Sequence, residues 1–112
     1  MLRGEIWWGI WPGDPGKKPR PLLIVSNNHR NQAPKIQDII VIKLTSLERA
    51  DGSKKPVNPA EDYVVTLKKE TIIQCAAVFA VEKKILTRKA RQLSFVQMKE
   101  VDERIKNAFD LH

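Results

Sequence analysis

Polar and apolar residues alternate over residues 4–11, with Ile6, Trp8 and Ile10 against Glu5, Trp7 and Trp11. That period of two predicts a strand with one buried face. Residues 12–21 contain four prolines and two glycines, which block regular structure and predict a loop. Residues 22–25 form a short apolar run, read as a buried strand, and residues 27–37 are polar and hold Pro34, so they read as a connector. Ile39, Ile40, Val41 and Ile42 make residues 38–44 a central strand, since branched side chains favour a pleated surface. Residues 45–62 read as a long loop, holding Asp51-Gly52, Lys54-Lys55-Pro56 and Asn58-Pro59. Loops of that length are commonly functional. Two more strands are predicted at residues 63–67 and 72–81, joined by a polar turn at Lys68-Lys69-Glu70.

Only the final segment has helical periodicity. Phe95, Met98, Val101, Ile105 and Phe109 recur at spacings of three and four and define one apolar stripe. Ser94 and Gln97 have capping-box spacing, which satisfies two amide donors at a helix start. Glu100 with Arg104, and Asp102 with Lys106, are spaced for ion pairs one turn apart. Five strands before one helix, with connections too short for parallel crossovers, predict a small, mainly antiparallel β fold closed by a C-terminal helix. No repeat or internal boundary divides the chain, so residues 1–112 are expected to form a single domain.

The 42% hydrophobic content is enough for a packed core and argues against disorder throughout. A formal charge of +7 favours a polyanionic partner such as nucleic acid or an acidic protein. Five basic residues fall within residues 82–91, which read as a solvated face or as part of an electrostatic footprint. The single cysteine, Cys75, excludes an intrachain disulfide and reads as a small buried hydrophobe. The longest apolar run, residues 75–81, is far short of a bilayer span, and the N-terminus is unlike an export signal. The cytoplasm is the expected location.

Several chemistries lack their residues. His29 and His112 are isolated, so no metal-ligand set is expected. There is no Gly-rich phosphate cradle, and no nucleophile has an evident base partner. What remains is a basic and hydroxyl-bearing set at strand ends. Arg20 stands between Pro19 and Pro21, whose rings restrict the backbone around a permanently charged fork. Ser26 and Asn27 follow the strand that Arg20 precedes, and Thr45 and Ser46 follow residues 38–44. Taken alone, Arg20 reads equally as a phosphate anchor or as a solvated loop charge, and Thr45-Ser46 as a strand-ending hydroxyl turn. Gathered at one rim, these groups suit binding a phosphodiester and stabilising charge on its oxygens. RNA carries its own nucleophile for such a cleavage, the 2′-hydroxyl.

Arg3-Gly4-Glu5-Ile6-Trp7-Trp8, then Lys18-Pro19-Arg20-Pro21-Leu22-Leu23-Ile24-Val25-Ser26-Asn27, then Lys43-Leu44-Thr45-Ser46, resembles the MazF/PemK toxin family. Val81-Glu82-Lys83, Leu93-Ser94, Val101-Asp102-Glu103 and Asp110-Leu111 follow in the same order as in that family. The resemblance implies a Src-homology-3-like antiparallel β-barrel with a C-terminal helix, assembled as a homodimer. It implies a toxin of a type II toxin–antitoxin system, a metal-independent endoribonuclease of single-stranded RNA that needs no cofactor and leaves a 2′,3′-cyclic phosphate and a 5′-hydroxyl. A cognate acidic antitoxin is the implied partner, and contact with DNA is implied only through that antitoxin. By the same resemblance Arg20 and Thr45 are the catalytic residues, and Lys17, Lys18, Ser46 and Gln74 contact RNA. On the fifth strand the family pattern of an acidic residue, glutamine, any residue, arginine and threonine is replaced by Ala76-Ala77-Val78-Phe79-Ala80. This replacement keeps open a relative that binds RNA or antitoxin without cutting. A gyrase-inhibiting toxin of the same fold ranks lower, because this sequence ends in Asp110-Leu111-His112 rather than the Trp-Gly-Ile of that group.

Overall fold

A computed structural model of the chain describes residues 1–111; His112 lies outside the described residues. Eight strands and two α-helices run in the order β1 (Glu5–Ile10), β2 (Pro19–Ile24), α1 (Asn28–Gln32), β3 (Asp38–Lys43), β4 (Thr45–Ser46), β5 (Asp62–Thr66), β6 (Glu70–Gln74), β7 (Val78–Glu82), β8 (Leu86–Gln92) and α2 (Phe95–Phe109). One sheet has the order β7-β3-β2-β1-β8 and the other β4-β6-β5, with every strand pair antiparallel. The mainly β fold with its terminal helix is as expected. The two sheets meet where β3 passes into β4 and stay open rather than closing into one continuous ring of hydrogen bonds.

The core between the sheets holds Ile6, Leu23, Ile42, Leu44, Val65, Ile73, Cys75, Leu93 and Val101, all buried. Met98 and Ile105 bring α2 onto this core, with Tyr63 beside them. The opposite face of the larger sheet carries a second cluster of Leu22, Ile24, Ile39, Val41, Val81 and Leu86. Successive β2 residues therefore feed both cores, which explains why the sequence 22–25 is apolar without alternation.

Several boundaries differ from the sequence reading. The apolar stretch 72–81 is two strands, because the chain turns at Cys75–Ala77 and crosses from β6 in one sheet to β7 in the other; the Ala77 amide donates to the Gln74 carbonyl at 2.9 Å. Continuous hydrophobicity hides such a turn, and the small Ala76 and Ala77 accommodate it. The basic segment 82–91 contributes a single 3-10 turn and then β8, which pairs with β1. The expected connector 27–37 contains α1, a single capped turn whose Asn27 side chain accepts the Arg30 amide at 2.8 Å. It is too short to show a periodic stripe.

Helix α2 keeps its capping box between Ser94 and Gln97 and its Glu100–Arg104 ion pair, at 2.6 Å. Its predicted stripe is only partly buried: Val101, Met98 and Ile105 meet the core, while Phe95 is 83% exposed and Phe109 half exposed. Asp102 does not pair with Lys106. It takes the Arg3 guanidinium instead, at 2.5 Å and 3.3 Å, while Arg3 Nε donates to the Val25 carbonyl at 2.9 Å. This clamp ties the chain's first turn to its last helix. Lys106 pairs with Glu103 at 3.6 Å.

Candidate nucleic-acid interface

Arg20 lies on β2, not in the loop before it, because the strand begins at Pro19. Two prolines in a strand demand an explanation, since each lacks the amide a ladder needs. In the β1–β2 ladder Gly9 is paired with Arg20, while Pro19 and Pro21 stand opposite Ile10 and Trp8. On its other side β2 pairs with β3 from Leu22–Lys43 to Ile24–Val41. One step further the Leu44 amide donates to the Pro21 carbonyl at 3.0 Å, and Pro21 has no amide to return the bond. The missing donors thus face the side on which β3 departs for the second sheet.

The next residues beyond that half-bonded pair are Arg20 on one strand and Thr45 on the other. The seam between the sheets thus places these two residues, 25 positions apart in sequence, one step beyond the same cross-strand pair. Thr45 opens β4 opposite Ile72, and Ser46 follows opposite Thr71. The expected turn at Thr45-Ser46 is therefore a short strand. Gln74 lies on β6, two residues past Ile72, and is exposed. Lys17 and Lys18 are exposed in the loop entering β2, and Lys17 adopts a left-handed backbone with φ 47°.

Two side chains complete the pair in ways the sequence did not announce. Asp14 accepts a hydrogen bond from Arg20 Nε at 3.0 Å, so the guanidinium is held on one edge and open on the other. The Gly16 amide, then Arg20, hold the Asp14 carboxyl below its ordinary pKa of 3.8. Lys55 donates from Nζ to Thr45 Oγ1 at 2.6 Å. An ammonium has donors only, so the threonine oxygen is the acceptor and its own proton is left to point elsewhere. The Asp14-Pro15-Gly16 turn and the Lys54-Lys55-Pro56 loop were the available signals, but neither spacing reveals its partner.

An aromatic corner flanks the pair. Trp11 meets Phe79 edge to face with centroids 5.0 Å apart, and Lys43 Nζ lies 4.9 Å from the Trp11 ring. Phe79 is 42% exposed. Cations beside open aromatic faces suit a ligand with phosphates and bases. Ser26 belongs to a different arrangement: it is buried, hydrogen-bonded to Asn31, and accepts the Ile40 amide at 3.1 Å. Its role is to hold α1 on β3. Among the described residues no group of three or more His, Cys, Asp or Glu stands where it would hold a metal ion, and no helix is long and apolar enough to cross a membrane.

The family model of PemK-like, MazF-like toxins of type II toxin–antitoxin systems matches residues 2–109. The chain belongs to this family. As a toxin of that class it shares its fold with solved relatives of low identity. An endoribonuclease from a mycobacterial species, solved in complex with its cognate antitoxin, is 20% identical with a TM-score of 0.77, over 100% of this chain and 97% of that one. The Mycobacterium tuberculosis toxin MazF-mt6 is 22% identical with a TM-score of 0.72, over 96% of this chain and 98% of that one. At these identities the likeness is one of fold. No curated protein matches this toxin significantly by sequence.

Proposed function

We propose that this toxin is an endoribonuclease of single-stranded RNA, with Arg20 and Thr45 at the scissile phosphate. The observation that supports this reading is the placement of the two residues just beyond the Pro21–Leu44 pair at the sheet seam, each side chain held by a partner of its own. The open edge of the Arg20 guanidinium offers paired donors to a phosphate, and the Thr45 hydroxyl, its oxygen engaged by Lys55, offers a further one. As the 2′-oxygen attacks, negative charge grows on the phosphate oxygens, and donors already in position stabilise it without rearranging. The products would be a 2′,3′-cyclic phosphate and a 5′-hydroxyl, by a route that requires no metal. Asp14, with its lowered pKa, is a weak base and suits orienting Arg20 rather than taking the 2′-proton. Lys17, Lys18, Ser46 and Gln74 would contact the flanking strand. An acidic antitoxin, a homodimeric assembly of single-domain chains and a cytoplasmic setting belong to the same reading.

Purified protein incubated with single-stranded RNA in the presence of a chelator should produce 5′-hydroxyl ends, and Arg20→Ala should reduce the rate by two orders of magnitude or more. Intact RNA across many sequences would sink the proposal, as would an Arg20→Ala variant that cuts like the parent. The stretch Ala76-Ala77-Val78-Phe79-Ala80, which carries no carboxylate, favours a second reading in which the toxin binds RNA without cutting it. Tight binding to RNA that stays whole would support that alternative.

A further inference from the structure

Strand β8 pairs with β1 through two irregularities. Trp8 is opposite Arg88 and Trp7 opposite Lys89, but Ile6 is opposite Arg91, so Ala90 is an extra residue in the ladder. In a regular strand, residues three apart point to opposite faces. The bulge cancels that and brings Arg88 and Arg91 to the face shared by Trp8 and Ile6. Facing them across a groove is the β5–β6 turn with Lys68 and Lys69. The groove has a volume of about 380 Å³, with Pro21, Leu67 and Thr71 also lining it. The Arg88 guanidinium lies 5.7 Å from the Trp8 ring centroid.

Five cations and no carboxylate line this groove. Lys89 is engaged elsewhere, by the buried Glu5 at 3.1 Å. Lys68, Lys69, Arg88 and Arg91 have no carboxylate in ion-pair reach among the described residues. Like charges on two walls of one cavity repel, and an anion between them relieves that repulsion. A flat aromatic floor with guanidinium groups above it is the arrangement that receives a base by stacking and its phosphates by charge. Pro21 of the groove and the adjoining Arg20 point to opposite faces of β2, so a strand engaging both would pass over the open edge at Pro19–Pro21.

We propose that this groove is a second RNA site, holding nucleotides that flank the cleaved bond, with one base on Trp8 and phosphates between Arg88, Arg91 and the Lys68-Lys69 turn. The inference rests on the endoribonuclease reading for its substrate. The aromatic floor favours nucleic acid over an acidic peptide.

The test separates this groove from the chemistry by using oligodeoxynucleotides, which lack the 2′-hydroxyl and cannot be cut by that route. Fluorescence anisotropy measures affinity against length for the parent, for Arg88→Gln with Arg91→Gln, for Lys68→Gln with Lys69→Gln, and for Lys99→Gln as a surface control. Parent and control should gain roughly tenfold in affinity between a five- and a ten-nucleotide strand, and both groove variants should lose that gain. With two phosphate contacts removed, the salt slope should fall by about 1.4. Circular dichroism melts check that each variant is folded, and the two walls provide independent variants. An unchanged length dependence in both would overturn the proposal. So would groove variants that lose binding to polyglutamate while keeping the oligonucleotide gain, since the occupant would then be an acidic protein. A length gain that depends on the groove in a protein unable to cleave RNA would retain the site and reject the endoribonuclease reading; normal cleavage with no length gain would do the reverse.

Discussion

Replacing Lys55 by methionine keeps most of the side-chain stem and removes the charge beside Thr45. A phosphate oxygen accepting from Thr45 Oγ1 would stand about 5 Å from the ammonium, being two hydrogen bonds of roughly 2.7 Å away. One unit charge at that distance interacts by about 3 kcal/mol at an effective dielectric near 20. Lys55 is only half buried, so solvent and salt reduce this by about half. The share that accelerates reaction is the interaction with charge that appears only on the way to the transition state. About 1.5 kcal/mol is therefore expected, close to a tenfold loss in the single-turnover cleavage rate. Thr45→Val should lose more, because it removes the donor itself. The double variant should be little worse than Thr45→Val alone, since the Thr45 oxygen is what holds the ammonium within that distance of the phosphate. The assay is single-turnover cleavage of an end-labelled RNA at saturating protein, with urea unfolding as a check on the fold. A Lys55→Met variant that cuts within twofold of the parent would refute the reasoning, as would strictly additive losses.

Three further outcomes follow from contacts elsewhere. Arg3→Met should lower the urea unfolding free energy by about 1–2 kcal/mol through loss of the Val25 bond and the exposed Asp102 pair, and Asp102→Asn in that background should add little. Burial pushes the Cys75 thiol up to about 12, so a maleimide should leave it unmodified in the native protein and label it at once in denaturant. Asp14 has a folded-state pKa below its ordinary 3.8, so its contribution to stability is present above that value and is lost as pH falls through the lowered one; Asp14→Asn should flatten the acid limb of a pH–stability curve below about pH 4.

Local signals carried much of the fold. The alternation at 4–11, the branched run at 38–44 and the spacing from Ser94 onward each mark an element that exists, because burial of one face imposes the pattern. The missed features depend on long-range geometry. Nothing in residues 72–81 shows that the chain changes sheets at Cys75–Ala77, since apolar residues run on through the turn from the buried β6 into the more exposed β7. Phe95 and Phe109 obey the helical stripe and yet stay exposed, because how much of a stripe is covered depends on tertiary packing. At the candidate site the sequence singled out Arg20 and Thr45 as candidates, whereas their hydrogen-bond partners Asp14 and Lys55 gave no signal of that pairing. Each is an ordinary loop residue until the fold sets it against its partner.

The prolines on either side of Arg20 have a consequence for the protein in a crowded solution. Where β3 leaves the larger sheet, β2 is left with an open edge at Pro19–Pro21, and an open edge invites another chain to add as a strand. A strand arriving there would find two positions without a donor and a charged side chain between them. The rim can therefore remain uncovered without nucleating β-aggregation, and replacing both prolines with valine would be expected to trade solubility for a longer sheet.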